Sequence, residues 1–349
     1  ALVVTGGAVR LTGSGLGCAD WPECSAGHLI AQVAFHPLVE DVNRLISVAV
    51  TALTAAVFLA AFRRVPYRGD LAALSGGLVG GLIGQIVLGG LVVLFKLNPY
   101  LVALHFLLTL AILADAIVLH HLAGSPPTRG VRLVDPTLAW LGRLLLAVTC
   151  LVVAVGTVVS GAGPHAGGAG AKRIGISFQE IAQLHSDVAL FLVGLTLAAL
   201  FAFHQAGAPA AVQRRGRTML EVMAVQGALG YTQYFLHDAA GVVEVHLLGA
   251  TCVFSAVLLF YLGLYHRPAA VGGGTLLAGA VVALDDAVGV AGGGAGDTVG
   301  AGIVGVAGSI VGRAGGAGGA DDDAVGVGAS GSEVALIGSG RATGREGSP

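Results

Sequence analysis

Two histidines, His185 and His246, stand near the starts of strongly apolar segments, where an ionisable side chain is costly and suggests a function. The predicted topology places both at the same depth in a membrane. Two neutral imidazoles that face each other across a helix bundle are the axial ligands that a low-spin haem needs. The pair therefore favours a bis-histidine haem site, although a single intramembrane histidine is more often a hydrogen-bonded packing residue.

A repeat of polar spacing links this pair to an earlier part of the chain. The same spacing occurs at two places: a glutamine lies 20 residues before a histidine, and a glycine lies 16 residues before the same histidine. The two sets are Gln85, Gly89 and His105, and Gln226, Gly230 and His246. Internal repeats of this kind indicate duplicated structural units. The repeat predicts two pseudo-symmetric four-helix bundles, residues 1–123 and 139–266, joined by a cytoplasmic linker at 124–138.

The first half does not repeat the histidine pair. His105 corresponds to His246, but the counterpart of His185 is Asn43, and an amide is a poor ligand for haem iron. This half could therefore hold iron through one histidine and leave one face open. Glu40 lies three residues before Asn43, on the same helical face, and is the candidate proton relay. The alternative for Glu40 is a surface ion pair with Arg44 at the i,i+4 spacing.

The composition shows where these residues must lie. Hydrophobic residues make up 55% of the 349 residues and charged residues 11%, against a usual charged share of about 25%. The formal net charge of -2 gives no electrostatic footprint for nucleic acid. The sequence therefore predicts an all-α integral membrane protein.

Seven segments have about the 20 apolar residues that a spanning helix needs: 42–62, 71–95, 101–122, 139–160, 184–203, 219–236 and 242–265. We interpret residues 1–9 as the end of a truncated first helix, with a cleaved signal peptide as the alternative, which makes eight transmembrane helices. Arginines follow the even-numbered helices, so the first loop is predicted to be extracytoplasmic and the C-terminus cytoplasmic in a multi-pass plasma membrane protein.

Residues 267–349 are rich in Gly, Ala, Val and Asp and contain no aromatic residue. We predict a disordered low-complexity tail and assign it no function. Wrong-frame translation of a GC-rich gene is a second hypothesis for the same composition.

Two stretches have distinctive patterns: the glycine-rich residues 5–24, which contain the pair Cys18 and Cys24, and residues 161–167, after the fifth helix. They resemble the first-external-loop signature and the signature after helix five of the heme A synthase family of cytochrome oxidase assembly proteins. The family carries Glu, then His and Arg, on helix two, where this chain has Glu40, Asn43 and Arg44. Asparagine at that place resembles actinobacterial-type members.

The resemblance implies a set of roles for the residues already singled out. It implies haem b bound by His185 and His246, haem O as the substrate with His105 as its iron ligand, Glu40 as a residue needed for turnover, and an external disulfide between Cys18 and Cys24. The implied reaction oxidises the C8 methyl of haem O to a formyl group and gives haem A for cytochrome oxidase. The implied partners are haem O synthase, membrane lipid and an electron donor of unidentified class; homo-oligomerisation stays open.

Two other classes compete with this interpretation. A di-haem b-type electron carrier, such as a quinol-linked cytochrome, should carry two complete histidine pairs, whereas Asn43 breaks one of them. A transporter built from repeats should show broken helices and midplane polar sites in both halves. The asymmetry between the halves favours an enzyme with one catalytic half.

Overall fold

The computed structural model describes residues 2–18, 21, 23–24, 34–165, 167–168 and 171–269, all of which belong to a first compact unit, 1–272. The predicted tail, apart from residues 267–269, lies outside the described residues.

The described residues form eight α-helices and a two-stranded ribbon, so the predicted all-α class is confirmed. The elements are α1 (Leu2–Leu11), α2 (Phe35–Arg63), α3 (Gly69–Leu94), α4 (Pro99–Ala123), β1 (Val131–Arg132), α5 (Pro136–Ala162), α6 (Phe178–Gln205), α7 (Ala210–Phe235), α8 (Ala240–Leu262) and β2 (Tyr265–His266).

Six of these helices, α2 to α6 and α8, are long and apolar enough to cross a membrane. The predicted span at 219–236 does form a helix, α7, but it is not among the six, because arginines crowd its first half and glutamines and tyrosines interrupt its second. The helix α1 is apolar but has ten residues. Large apolar side chains face outward, including Leu45 at 69% and Phe201 at 65% exposed, as expected of helices surrounded by lipid.

Short connections make neighbouring helices antiparallel. Four residues join α3 to α4, α6 to α7, and α7 to α8. The helices α2, α4, α6 and α8 therefore begin at one end of the bundle, which we call the upper end, and the opposite end is the lower end.

One lower-end helix, α5, begins with a well-defined cap. Asp135 precedes α5, and its carboxylate accepts a 2.8 Å hydrogen bond from the backbone N–H of Thr137, while Pro136 occupies the first helical position. That hydrogen bond holds the pKa of Asp135 below its ordinary value. The helix α5 thus begins three residues inside the predicted linker.

The largest apolar core lies among α5, α6, α7 and α8. Its fully buried members come from each of these four helices: Leu145, Ala199, Met219 and Val257. A smaller cluster of Leu71, Leu78 and Leu119 packs α3 against α4. The C-terminal four helices therefore have a continuous core of their own.

The upper-end turns of α3–α4 and α7–α8 have the same backbone geometry. Two consecutive non-glycine residues adopt positive φ in each turn: Lys96 (50°) and Leu97 (60°), then His237 (51°) and Asp238 (58°). The second residue of each pair donates its N–H five residues back, at 2.8 Å in the first turn and 2.9 Å in the second. Left-handed conformations are unfavourable for such residues, so finding the same pair at two places with the repeat spacing is evidence of a shared local design.

The strands β1 and β2 pair antiparallel at the lower end, with Val131 opposite His266 and Arg132 opposite Tyr265. The pairing is extended by a 2.6 Å hydrogen bond from the Thr128 hydroxyl to the backbone carbonyl of Pro268. The segment before α5 is thereby tied to the segment after α8.

Candidate functional site

His185 of α6 and His246 of α8 face each other near the upper end. Their ring centroids are 6.4 Å apart and their ring planes cross at 70°. A metal–imidazole bond of about 2.0–2.1 Å on each side would place the two centroids about 6.3 Å apart. The observed separation therefore fits one metal atom between the two imidazoles, and the residues present fit a bis-histidine haem.

Each of the three intramembrane histidines lies against a glycine on the preceding helix. A β-carbon on the glycine would lie 3.0–3.2 Å from Cε1 of the imidazole in the pairs Gly156–His185, Gly230–His246 and Gly89–His105. Any side chain at these glycines would push the imidazole aside. The glycine spacing found in the sequence thus marks a ring-packing position, and Gly156 is a third such residue that sequence analysis missed.

The side-chain amide of Gln226 contacts the imidazole of His246 at Nδ1. Its Nε2 lies 3.1 Å from Nδ1 of His246 and 3.0 Å from the same residue's backbone oxygen. With the amide turned over, Oε1 would accept the Nδ1–H, the arrangement that a metal-bound imidazole requires. In that turned-over arrangement Nδ1 carries the ring proton, and Nε2 is the nitrogen with a lone pair for a metal.

In the first half, Gln85 donates instead to the backbone oxygen of His105 at 3.1 Å and to the hydroxyl oxygen of Thr109 at 2.6 Å. Nδ1 of His105 is buried and has no hydrogen-bond partner among the described residues. The described residues show a contact between two imidazoles for His185 and His246 and none for His105. The two halves therefore differ in what surrounds their corresponding histidines.

Asn43, the counterpart of His185, accepts a 2.7 Å hydrogen bond from the hydroxyl of Thr5 through its side-chain oxygen. Thr5 belongs to α1 and was not singled out as a site residue. Residues 3–7 (Val-Val-Thr-Gly-Gly) resemble residues 158–162 (Val-Val-Ser-Gly-Ala) at the end of α5, and this similarity was the available signal that α1 corresponds to α5. Thr5 fixes which way the Asn43 amide points.

Glu40 forms the predicted ion pair with Arg44, at 2.7 Å, but it does not lie on an exposed surface. The residue is 5% exposed, and its other carboxylate oxygen accepts a 2.8 Å hydrogen bond from the backbone N–H of Cys18. The carboxylate therefore connects α2 to the first loop.

Cys18 and Cys24 form a disulfide, as the resemblance implied. Cys18 is fully buried and Cys24 is 4% exposed. Trp21, between them, lies on Gly90 of α3, where a β-carbon would be 2.8 Å from the indole ring. Trp21 thus packs on a helix.

Two further carboxylates lie inside helices, and the sequence analysis passed over both. Glu244 of α8 buries both carboxylate oxygens against Gly7, and Asp115 of α4 buries Oδ1 beside Gly77; none of these three oxygens has a hydrogen-bond partner among the described residues. The ionisable residue two positions before His246 was the available signal for Glu244. No group of three or more His, Cys, Asp and Glu side chains gathers to hold a metal ion in the described part of the chain.

His165 lies in the loop after α5. Its Nε2 lies 2.7 Å from the backbone oxygen of Asp238 in the α7–α8 turn. This ring nitrogen therefore stabilises the loop packing at the upper end.

Comparison with known proteins gives a consistent result. Residues 27–167 match the COX15-CtaA family, described as cytochrome oxidase assembly protein. Over that stretch the chain is similar to this family. The matched stretch contains Glu40, Asn43 and His105, whereas His185 and His246 lie beyond it.

The chain is also similar to curated heme A synthases. It is 32% identical over 121 residues to the enzyme of Staphylococcus saprophyticus, covering 34% of this chain and 40% of that protein. It is 32% identical over 106 residues to that of Staphylococcus epidermidis, covering 30% and 35%. It is 31% identical over 123 residues to that of Alkalihalophilus pseudofirmus, covering 35% and 41%. The chain therefore spans about two fifths of the length of the relatives it matches.

Proposed function

We propose that this chain is a heme A synthase, an oxidoreductase that converts the C8 methyl of haem O to a formyl group. The observation that carries the proposal is the 6.4 Å separation of His185 and His246, because it fits a bis-histidine haem. In the other half, no second imidazole contacts His105 among the described residues. The family match and the similarity to curated heme A synthases support the same activity.

In this proposal the two halves are pseudo-symmetric four-helix units with different tasks. The shared turns at 96–97 and 237–238 and the three glycine–histidine pairs support the symmetry. The C-terminal half would hold haem b through His185 and His246, and this haem would supply electron transfer when bound. The N-terminal half would bind haem O through His105, with Asn43 in place of a second histidine.

The residues of the chain orient and confine these groups. Gln226 fixes the ring of His246, the glycines leave room for the imidazoles, and Thr5 orients the Asn43 amide. Glu40 is assigned to turnover in the first half, where Cys18 and Arg44 contact its carboxylate. Helix α1, which contacts Asn43 through Thr5, also contacts α8 through Gly7 and Glu244. The two halves therefore meet near the histidines.

We place the protein in the plasma membrane with the upper end extracytoplasmic, where the Cys18–Cys24 disulfide would persist. The arginines of the lower-end loops support this orientation through the positive-inside rule. Haem O synthase is the proposed supplier of substrate, with a membrane-associated electron donor.

The test is co-expression of the 349-residue chain with a haem O synthase in a host that lacks haem A, followed by haem extraction and chromatography. We expect haem A from the parent chain, no haem A but retained haem b from His105→Ala, and loss of haem b from His246→Ala. Bound haem b with haem O left unconverted by the parent chain would instead favour the di-haem electron carrier.

A further inference from the structure

We propose that Glu40 is a positioning residue that holds the disulfide loop, Cys18 to Cys24, in place beside the site of the N-terminal half. Its carboxylate acts on the loop backbone, and through the loop on turnover. The inference rests on the proposed function where it concerns turnover, and on the loop geometry alone where it concerns the disulfide.

Both oxygens of the Glu40 carboxylate have partners. Oε2 accepts the backbone N–H of Cys18 at 2.8 Å, and Oε1 accepts the guanidinium of Arg44 at 2.7 Å. Arg44 also reaches the backbone oxygen of Glu23 through a long 3.4 Å hydrogen bond. The ion pair on α2 therefore contacts the loop near both of its cysteines. Glu40 itself is only 5% exposed.

The segment just before the disulfide loop, residues 14–17, packs against the start of α2. A β-carbon on Gly17 would lie 2.5 Å from the backbone carbonyl of His36. The fully buried Ser14 hydroxyl lies 2.9 Å from Nδ1 of His36. The backbone at Gly17 thus lies directly against the backbone at His36. This contact, one residue before Cys18, also holds Cys18 close to Glu40.

The far contact of the loop lies at the level of His105. Trp21 packs on Gly90 of α3, and the neighbouring Gly89 packs on the imidazole of His105. Successive residues of a helix differ by 1.5 Å in height and about 100° in direction. The indole and the imidazole therefore contact adjacent faces of α3 at nearly the same height.

The second half lacks both anchoring residues. By the repeat spacing, Ala182 stands in place of Glu40 and Tyr231 in place of Gly90. Tyr231 has a side chain at the position where Gly90 has none, and it is 55% exposed. The loop and its anchors therefore belong to the half that we assign to haem O, whose ligand must enter and leave.

The first test measures how fast a water-soluble phosphine reduces Cys18–Cys24 in the purified 349-residue chain. The extent of reduction at each time is read from the mass that maleimide labelling adds. Glu40→Ala removes the acceptor for the Cys18 N–H, so the buried disulfide should be reduced faster, on the order of tenfold for one lost buried hydrogen bond. Glu40→Gln keeps an acceptor oxygen and should stay near the parent rate. An alanine variant that is reduced at the parent rate overturns the inference.

A matched pair of glycine variants tests the far contact. Gly90→Ala would place a β-carbon in the indole of Trp21, whereas Gly80→Ala on the same helix meets nothing within 4 Å. We expect faster reduction in Gly90→Ala and the parent rate in Gly80→Ala. Equal acceleration by both would point to a general loss of helix packing and would count against the loop contact.

The haem A yield separates positioning from proton transfer. A positioning role predicts that Glu40→Gln keeps most of the yield that Glu40→Ala loses, whereas a proton carrier would be disabled equally by both changes, and equal loss overturns the inference. If the parent chain itself makes no haem A, the proposed function fails, while the reduction rates still decide whether Glu40 holds the loop.

Discussion

Gly156 of α5 lies against the imidazole of His185, where a β-carbon would be 3.0 Å from Cε1. A side chain at residue 156 would therefore require the imidazole to shift by a few tenths of an ångström. The same contact recurs at Gly230 and Gly89 with their own histidines.

Gly156→Ala should weaken haem binding in the C-terminal half, because the added methyl group would tilt His185 away from His246. Changes next to a metal ligand typically cost about 10- to 100-fold in affinity. The measurement is a haem titration of the purified chain followed by its absorption spectrum. Gly194→Ala, on α6 and with nothing within 4 Å, is the matched control and should leave the affinity unchanged. Unaltered haem binding in Gly156→Ala would contradict the assignment of His185.

Gln226→Ala should lower haem affinity in the C-terminal half by a similar factor, since the amide is the contact to Nδ1 of His246. Gln85→Ala is the counterpart in the first half, where the amide reaches the backbone of His105 and the hydroxyl of Thr109 and no ring nitrogen. We expect a smaller change from Gln85→Ala in the spectrum of its haem. Effects of equal size would show that the amides act through helix packing alone.

Lys96→Gly and His237→Gly should each raise the thermal stability of the solubilised protein. Both residues adopt a left-handed conformation that glycine takes without steric cost, and the gain should be up to about 1 kcal/mol. Because the two turns have the same geometry, the two gains should be similar. Lys172→Gly, at an exposed loop position, is the control and should not stabilise the protein. A loss of stability in both turn variants would contradict the shared backbone design.

Asp135 should make stability depend on pH in acid. The hydrogen bond from Thr137 lowers the folded-state pKa of Asp135, so its capping contribution is present above the ordinary carboxyl pKa and is lost as the pH falls through the lowered value. Asp135→Asn keeps an acceptor oxygen but does not titrate. The melting temperatures of the parent and Asp135→Asn, compared from about pH 7 to about pH 3, should therefore diverge at the acid end. Parallel curves over that range would contradict the capping role.

Spacing along the chain predicted His105 and His246 as counterparts because each lies 16 residues after a glycine that packs on its ring. The glycine that packs on His185, Gly156, lies 29 residues before it and was not predicted. The contacts that sequence analysis missed join segments far apart in the chain, such as Thr5 with Asn43 and Trp21 with Gly90. No periodicity encodes such contacts, since they depend on how one helix crosses another. For Glu40 the ion pair with Arg44 was foreseen, but the loop backbone as a second partner was not.

Helix starts were predicted too late because an apolar window measures lipid contact and not helix formation. The helix α6 begins at Phe178, six residues before the predicted span, where the Ser177 side chain accepts a hydrogen bond from the N–H of Glu180. The helix α7 begins nine residues early, in a polar stretch with several arginines. Arginine and glutamine are good helix formers, so these turns are helical although they are not apolar.

The ribbon of β1 and β2 brings the segment before α5 into hydrogen-bonding contact with the segment after α8. The C-terminal four-helix half therefore enters and leaves at one place, and its core is shared by all four of its helices. A unit whose ends adjoin can be copied in tandem or circularly permuted without stretching a connection. Rejoining residues 132 and 265 through a short linker, with new ends opened at 206–209, is thus a rearrangement that the architecture of this half permits.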